Sequence, residues 1–313
     1  MSKNKYSSSI HRRAWLRLLA GGFIVYAVAV GLSGLRLSAS AIHNAEPFFI
    51  LLALVAIVLS YVFAAVTYML LAPKVLQFIP TLFVQIAGGL VNRMLPAGLG
   101  GMGLNVFYLK KNGHSVSVAT AVAATNNSIG FIGNVLVVAI SLLIVPVDIS
   151  ELAVPAVPWP FIIGIVALMG TGCILIARHR SWARSVRRSF REIARYLVQT
   201  LNRPGKSLMA LGSSCLLTAL HGLGLFFVLQ AVGGTQNWTI ALLAISVGAF
   251  VGAATPTPGG LGGTEAGIAA VLMAFSLSVN MSVAAALIYR GITYWLPLLP
   301  GYFALKIVEK RYL

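Results

Sequence analysis

Glu265 is the one acidic residue inside a long apolar stretch of this sequence. It directly follows Thr264 and a glycine-rich break, Pro258-Gly-Gly-Leu-Gly-Gly263. A carboxylate at depth in a membrane is costly and marks function by default: it binds a cation or hydroxyl, or pairs with a base. Thr264 followed by Glu265 also satisfies a helix start, where a capping hydroxyl and a first-turn acid are both favoured. Arg290 lies within the last apolar run. It either neutralises Glu265 or holds a phosphate, whose oxygens a guanidinium matches bidentately. The break supplies further chemistry. Pro258, Gly260, Gly262 and Gly263 interrupt the helix and free backbone N–H groups, and the positive end of the following half-helix attracts anions. A second break, Pro96-Ala-Gly-Leu-Gly-Gly101, matches the first at five of six positions. Its Gly98, Gly100 and Gly101 are expected to act likewise. Arg93 precedes it, either beside the tip or snorkelling to the surface. Asn127, Gly130 and Asn134 fall on one helical face, as do Ser214, Thr218 and His221. Such faces either line a polar cavity or hydrogen-bond between helices.

Other chemistries are excluded. Asp148 is the only aspartate, which removes any mechanism needing paired aspartates. Cys173 and Cys215 both sit in apolar runs, and no His/Cys/acid cluster has metal-ligand spacing, so no metal and no cofactor are expected. The glycine pattern follows no strand, which argues against dinucleotide binding.

Hydrophobic residues make up 58% of the 313 and charged residues 9%, against roughly 25% charged in a soluble domain. The chain must therefore place most of its surface in lipid. A net charge of +17 then reads as membrane topology rather than nucleic-acid binding. Apolar stretches of helical length predict crossing helices at 14–35, 47–72, 118–145, 160–177, 207–232 and 281–303. The polar, basic residues 1–17 lead into too long an apolar stretch for a cleaved signal, so 14–35 is expected to stay as a helix. The broken segments 81–109 and 239–275 predict re-entrant hairpins entering from opposite faces. The expected fold is all-α and polytopic: an inverted repeat with six transmembrane helices and two re-entrant hairpins. Residues 1–145 form the first repeat and 146–313 the second. Nine basic residues fall between Arg178 and Lys206. With the basic ends of the chain they place both termini and the 178–206 linker in the cytoplasm. Within the linker, Trp182, Val186, Phe190, Ile193, Leu197 and Leu201 make one helical stripe among arginines. That pattern predicts an amphipathic helix on an anionic phospholipid surface at 178–203.

The run Thr255-Pro-Thr-Pro-Gly-Gly-Leu-Gly-Gly-Thr-Glu-Ala-Gly267, followed by the Arg290 helix, resembles the flippase-like membrane region of lysylphosphatidylglycerol synthases. Arg93 to Gly101, then Leu109-Lys-Lys-Asn-Gly113, is similar to that family's first-half signature. The resemblance covers about 14–305. It implies translocation of a lipid in the cytoplasmic membrane, with Glu265, Arg290, Pro258 and the Gly259–Gly263 tip at functional positions. The sequence departs from the family twice. It ends at Leu313 with no soluble aminoacyl-transfer domain, so lipid synthesis is not expected. Met102, Gly103, Leu104 and Asn105 stand where the family often carries an acid and a base. The leading expectation is a flippase or exporter, not an enzyme, for a lipid with an anionic phosphate head, aminoacylated or isoprenoid-linked. One alternative is an intramembrane enzyme acting on a polyprenyl phosphate. Another is a non-catalytic partner of a separate lipid-modifying enzyme.

Overall fold

Proline and glycine set the helix limits. The computed structural model describes residues 40–94, 99–144, 191, 195–196, 198–199, 202–255 and 257–312. Helix α1, Pro47–Leu71, opens with its proline in the first turn, where the missing N–H has no intrahelical partner to lose. It stops before Pro73, with Ala72 extended at φ −65° and ψ 134°, because a following proline disfavours the helical region. Helices α2, Phe78–Met94, and α3, Leu99–Lys111, form the first hairpin. At the end of α3, Gly113 takes φ 80° and the His114 N–H reaches back to the Leu109 carbonyl at 3.2 Å, a glycine-dependent C-terminal closure. Helix α4 is Val116–Ile144. Helix α5, Pro204–Ala231, again opens on proline. It closes through Gly233, with Gly234 N–H on the Leu229 carbonyl at 2.8 Å. Helix α6, Trp238–Ala254, is capped by Asn237, whose side chain accepts from Ile240 N–H. A 3₁₀ turn, Pro258–Gly260, leads to α7, Gly263–Ala274. Helix α8, Val279–Arg290, runs through a π turn, Gly291–Trp295, into α9, Leu298–Arg311.

Length sorts these helices. Among the described residues, four stretches are long and apolar enough to cross a membrane: α1, α4, α5 and the composite Val279–Arg311. Their 25 to 33 residues correspond to roughly 37–50 Å at 1.5 Å per residue, more than the ~30 Å hydrocarbon core. The hairpin helices have 12 to 17 residues and reach only about 18–26 Å. The protein is thus a multi-pass, all-helical membrane protein among its described residues. Side chains such as Phe131 and Leu143, 71% and 83% exposed, face outward as lipid-contacting groups would. The expected helices 14–35 and 160–177 lie outside the described residues, as do all six residues of the 178–203 stripe. The last span runs to Arg311, past the expected end at 303.

Two cores divide the bundle along its length. One gathers Tyr68 and Leu71 of α1, Val84 and Ala87 of α2, Tyr108 and Leu109 of α3, and Ala304 and Val308 of α9. The other gathers Ala53 and Ile57 of α1, Leu225 and Leu229 of α5, Leu242 and Ile245 of α6, and Ile268 and Leu272 of α7. Since α1 contributes to both, the cores occupy its two ends. The first hairpin is rooted in one core and the second in the other. Their tips are therefore aimed at each other.

Candidate functional site

The second tip depends on glycine at specific positions. Gly259, Gly260 and Gly262 have φ of 61°, 67° and 83°, a left-handed region costly to other residues. A Cβ on Gly260 would also stand 2.8 Å from the backbone of Gly252. Gly248 and Gly252 of α6 meet Gly267 and Thr264 of α7, so small residues also let the two arms close. Thr264 packs against Gly252 in that seam, and Gly263 fits against Thr255. The glycines therefore do two things: they make the turn, and they pack it.

Glu265 and Arg290 meet at this tip. The Arg290 Nε–H donates to Glu265 Oε1 at 2.9 Å, with the side chains 11% and 14% exposed. The other carboxylate oxygen, Oε2, accepts from the Gly262 N–H at 2.8 Å. Glu265 thus caps its own helix and pairs with the base, while the Thr264 hydroxyl does not cap. The Arg290 Nη2–H donates to the Gly259 carbonyl at 3.0 Å, and its guanidinium lies 4.5 Å from the centroid of the Tyr294 ring. The Tyr294 hydroxyl reaches the Pro258 carbonyl at 3.5 Å. Two of the three nitrogens of Arg290 are thereby engaged by the protein itself.

Arg93 ends α2 at the same place. A Cβ on Gly259 would sit 3.3 Å from the Arg93 Cα, which puts the two hairpins in contact. The Arg93 guanidinium lies 5.5 Å from the Tyr294 centroid, and its Nη2–H donates to the Thr293 carbonyl. That carbonyl is available because its usual helical partner, four residues on, is Pro297, which has no N–H. The π turn that precedes Pro297, with Leu296 N–H on the Gly291 carbonyl at 2.9 Å, is a feature frequent at functional sites. The Nε and Nη1 atoms of Arg93 are buried and reach no acceptor among the described residues. Arg93 does not snorkel to the surface. Two guanidiniums flank Tyr294, and one carboxylate answers them.

The first tip is held by amides. Gly98 lies outside the described residues. The Gly101 N–H donates to Asn92 Oδ1 at 2.6 Å. Asn105 donates to the Gly101 carbonyl at 2.9 Å and accepts from Gln85 at 2.9 Å. Gly100 packs against the Val91 backbone, too closely for any side chain. Of the polar faces, Asn134 accepts from Ser246 of α6 at 3.0 Å, a bond between helices. Asn127 is exposed on α4 and joins neither tip. His221 bonds the Tyr289 hydroxyl at 2.9 Å, one residue before Arg290. Sequence reasoning missed Tyr294, which an apolar run conceals. It also missed the Thr293 carbonyl, though a proline four residues downstream announces it. No group of three His, Cys, Asp or Glu side chains could hold a metal among the described residues.

No curated protein matches this sequence. The family model described as the lysylphosphatidylglycerol synthase TM region matches residues 17–301. That span takes in both breaks and every residue of the tip cluster, and the chain belongs to this family.

Proposed function

We propose that this protein moves an anionic, phosphate-headed lipid across the cytoplasmic membrane, with the head passing between the two hairpin tips. Family membership suggests a membrane-lipid role. The observation that carries the finer reading is Arg93. A guanidinium with two buried donors that meet no acceptor among the described residues, at the contact of the tips, suits an anion, because unpaired polar groups at depth are expensive. Counting Arg93, Arg290 and Glu265, the cluster carries 2 − 1 = +1. Arg93, rather than Arg290, is the residue that takes the phosphate. Arg290 is already held by Glu265 and the Gly259 carbonyl and serves to fix the second tip. The two hairpins are re-entrant halves of an inverted repeat, and the basic loops place both termini in the cytoplasm. Transport is downhill or ion-coupled, and the protein is not an enzyme.

The test is purified protein in liposomes, following fluorescent phosphatidylglycerol between leaflets. Wild-type protein is expected to move it and Arg93→Gln to reduce that movement at least ~10-fold, with helicity unchanged. Movement by Arg93→Gln at the wild-type rate would overturn the assignment of the anion to Arg93. Lipid movement no faster than in empty liposomes, with phosphate released from a polyprenyl phosphate, would replace transport by intramembrane hydrolysis.

A further inference from the structure

A polar cavity lies away from the tips. It has a volume of about 450 Å³ and sits where the C-terminal end of α1 meets the residues leading into α5. One wall carries Gln199, Asn202, Arg203 and Lys206; the other is apolar, with Leu70 and Pro73. The Tyr196 hydroxyl bonds the Leu71 carbonyl, tying the two walls together. The same contact answers the Leu71 carbonyl at the end of α1. Among the described residues no carboxylate lines the cavity, and neither Arg203 nor Lys206 pairs with one. The cavity lies beside the core that holds the roots of the first hairpin and the end of α9. That end of the bundle also bears Lys74, Lys110, Lys111, Lys310 and Arg311. Two free cations and two amides facing an apolar wall, at the membrane boundary, present the chemistry of a phosphate joined to a glycerol and acyl chains.

We infer that this cavity binds the headgroup of an anionic glycerophospholipid from the leaflet facing the basic end, as a resident lipid separate from the one that moves. The phosphate sits on Arg203 and Lys206, the amides bond its ester oxygens, and the glycerol rests against Leu70 and Pro73. The inference does not depend on the tip site, and its readout is retention rather than transport.

The experiment uses the full chain in nanodiscs of equal phosphatidylglycerol and phosphatidylcholine, extracted into detergent, with retained lipid measured by mass spectrometry. Wild-type protein is expected to retain phosphatidylglycerol in excess. The Arg203→Gln/Lys206→Gln variant should lower that retention by roughly 30-fold, from two interfacial cations. Lys110→Gln/Lys111→Gln removes an equally exposed pair at the same end and should leave retention intact. Because Arg203 and Lys206 are exposed, the fold should survive; Arg203→Lys/Lys206→Arg, which keeps both charges, should retain the lipid. Equal loss in the Lys110/Lys111 variant would overturn the site in favour of diffuse charge. Displacement of the lipid by inorganic phosphate, but not by chloride at matched ionic strength, would overturn the lipid in favour of a free anion.

Discussion

Replacing Glu265 by Gln should destabilise the protein through Arg290. The change keeps the shape and one hydrogen-bond acceptor but removes the only carboxylate of the tip cluster among the described residues. At an effective dielectric of about 20 and a charge separation of about 4 Å, the pair is worth ~4 kcal/mol. Breaking a buried pair on one side costs ~3–5 kcal/mol, much of it the uncompensated charge left behind. The partial exposure of both side chains, 11% and 14%, favours the lower end. Gln can still accept from the Gly262 N–H, so the cap survives. The expected loss is therefore about 3 kcal/mol. The partner change Arg290→Gln leaves Glu265 unpaired and frees the Gly259 carbonyl, for a similar loss. The double change removes both charges and should cost about 1–2 kcal/mol, far less than the sum. The assay is reversible unfolding in mixed detergent for the four proteins of the cycle. A single-variant loss below ~0.5 kcal/mol, or additive losses, would refute the claim that the pair is buried and coupled. Transport on the same four proteins separates two roles. If the pair only holds the tip, the double variant moves lipid; if either charge touches the headgroup, it folds but does not.

Pro297→Ala supplies the N–H that the Thr293 carbonyl lacks, and so competes with Arg93 for it. Transport should change at least ~3-fold while unfolding stability stays level or rises, which liposome assays and detergent unfolding on one preparation would register. Gly260→Ala should cost about 1–3 kcal/mol for its positive φ, with more from the Gly252 contact, whereas Gly103→Ala, with nothing near its Cβ, should be within ~0.5 kcal/mol by the same unfolding assay. Cysteines placed at Asn112 and Gln236 should label from opposite sides of the membrane, Asn112 from the cytoplasm. Labelling of both from one side would remove the opposed-hairpin arrangement.

The breaks were legible because proline and glycine act locally. Pro47, Pro73, Pro204, Gly113 and Gly233 mark helix limits at or near where the sequence puts them. The Glu265–Arg290 contact was legible for a different reason: an apolar run with one acid and one base leaves few neutral arrangements. The role of Arg93 was not. Whether it snorkels or stays buried depends on where the second tip stands, and that is set by two cores assembled from residues more than a hundred positions apart. Asn127 and Asn134 share a helical face, yet only Asn134 meets α6. Spacing along one helix cannot tell which side of that face a neighbour covers. Tyr294 carries no sequence mark at all, since an aromatic ring in an apolar run is ordinary core until two guanidiniums are found against it.

How the tips could part follows from what joins them. Helix α1 lies along α5, with the Thr67 hydroxyl on Ser213 Oγ at 3.1 Å and Gly224 fitted to Ile57. The first hairpin leans on α9, where Gly301 accepts Leu90. Each of these joints ties a helix before residue 145 to one after residue 203, so the two sets of helices are interlocked and cannot move apart as rigid bodies without opening both cores. Among the described residues the contact at the tips is smaller: one Arg93 bond to the Thr293 carbonyl, the stack on Tyr294, and the touch of Gly259. A hydrogen bond to a charged group contributes roughly 1.5–3 kcal/mol and an arginine–aromatic stack about 0.5–2, against the many apolar side chains shared within each core. Displacing one hairpin tip relative to the α1–α5 frame therefore costs less than separating α1 from α5. An arriving phosphate that satisfies the open donors of Arg93 would offset part of that cost at the point where the contact breaks.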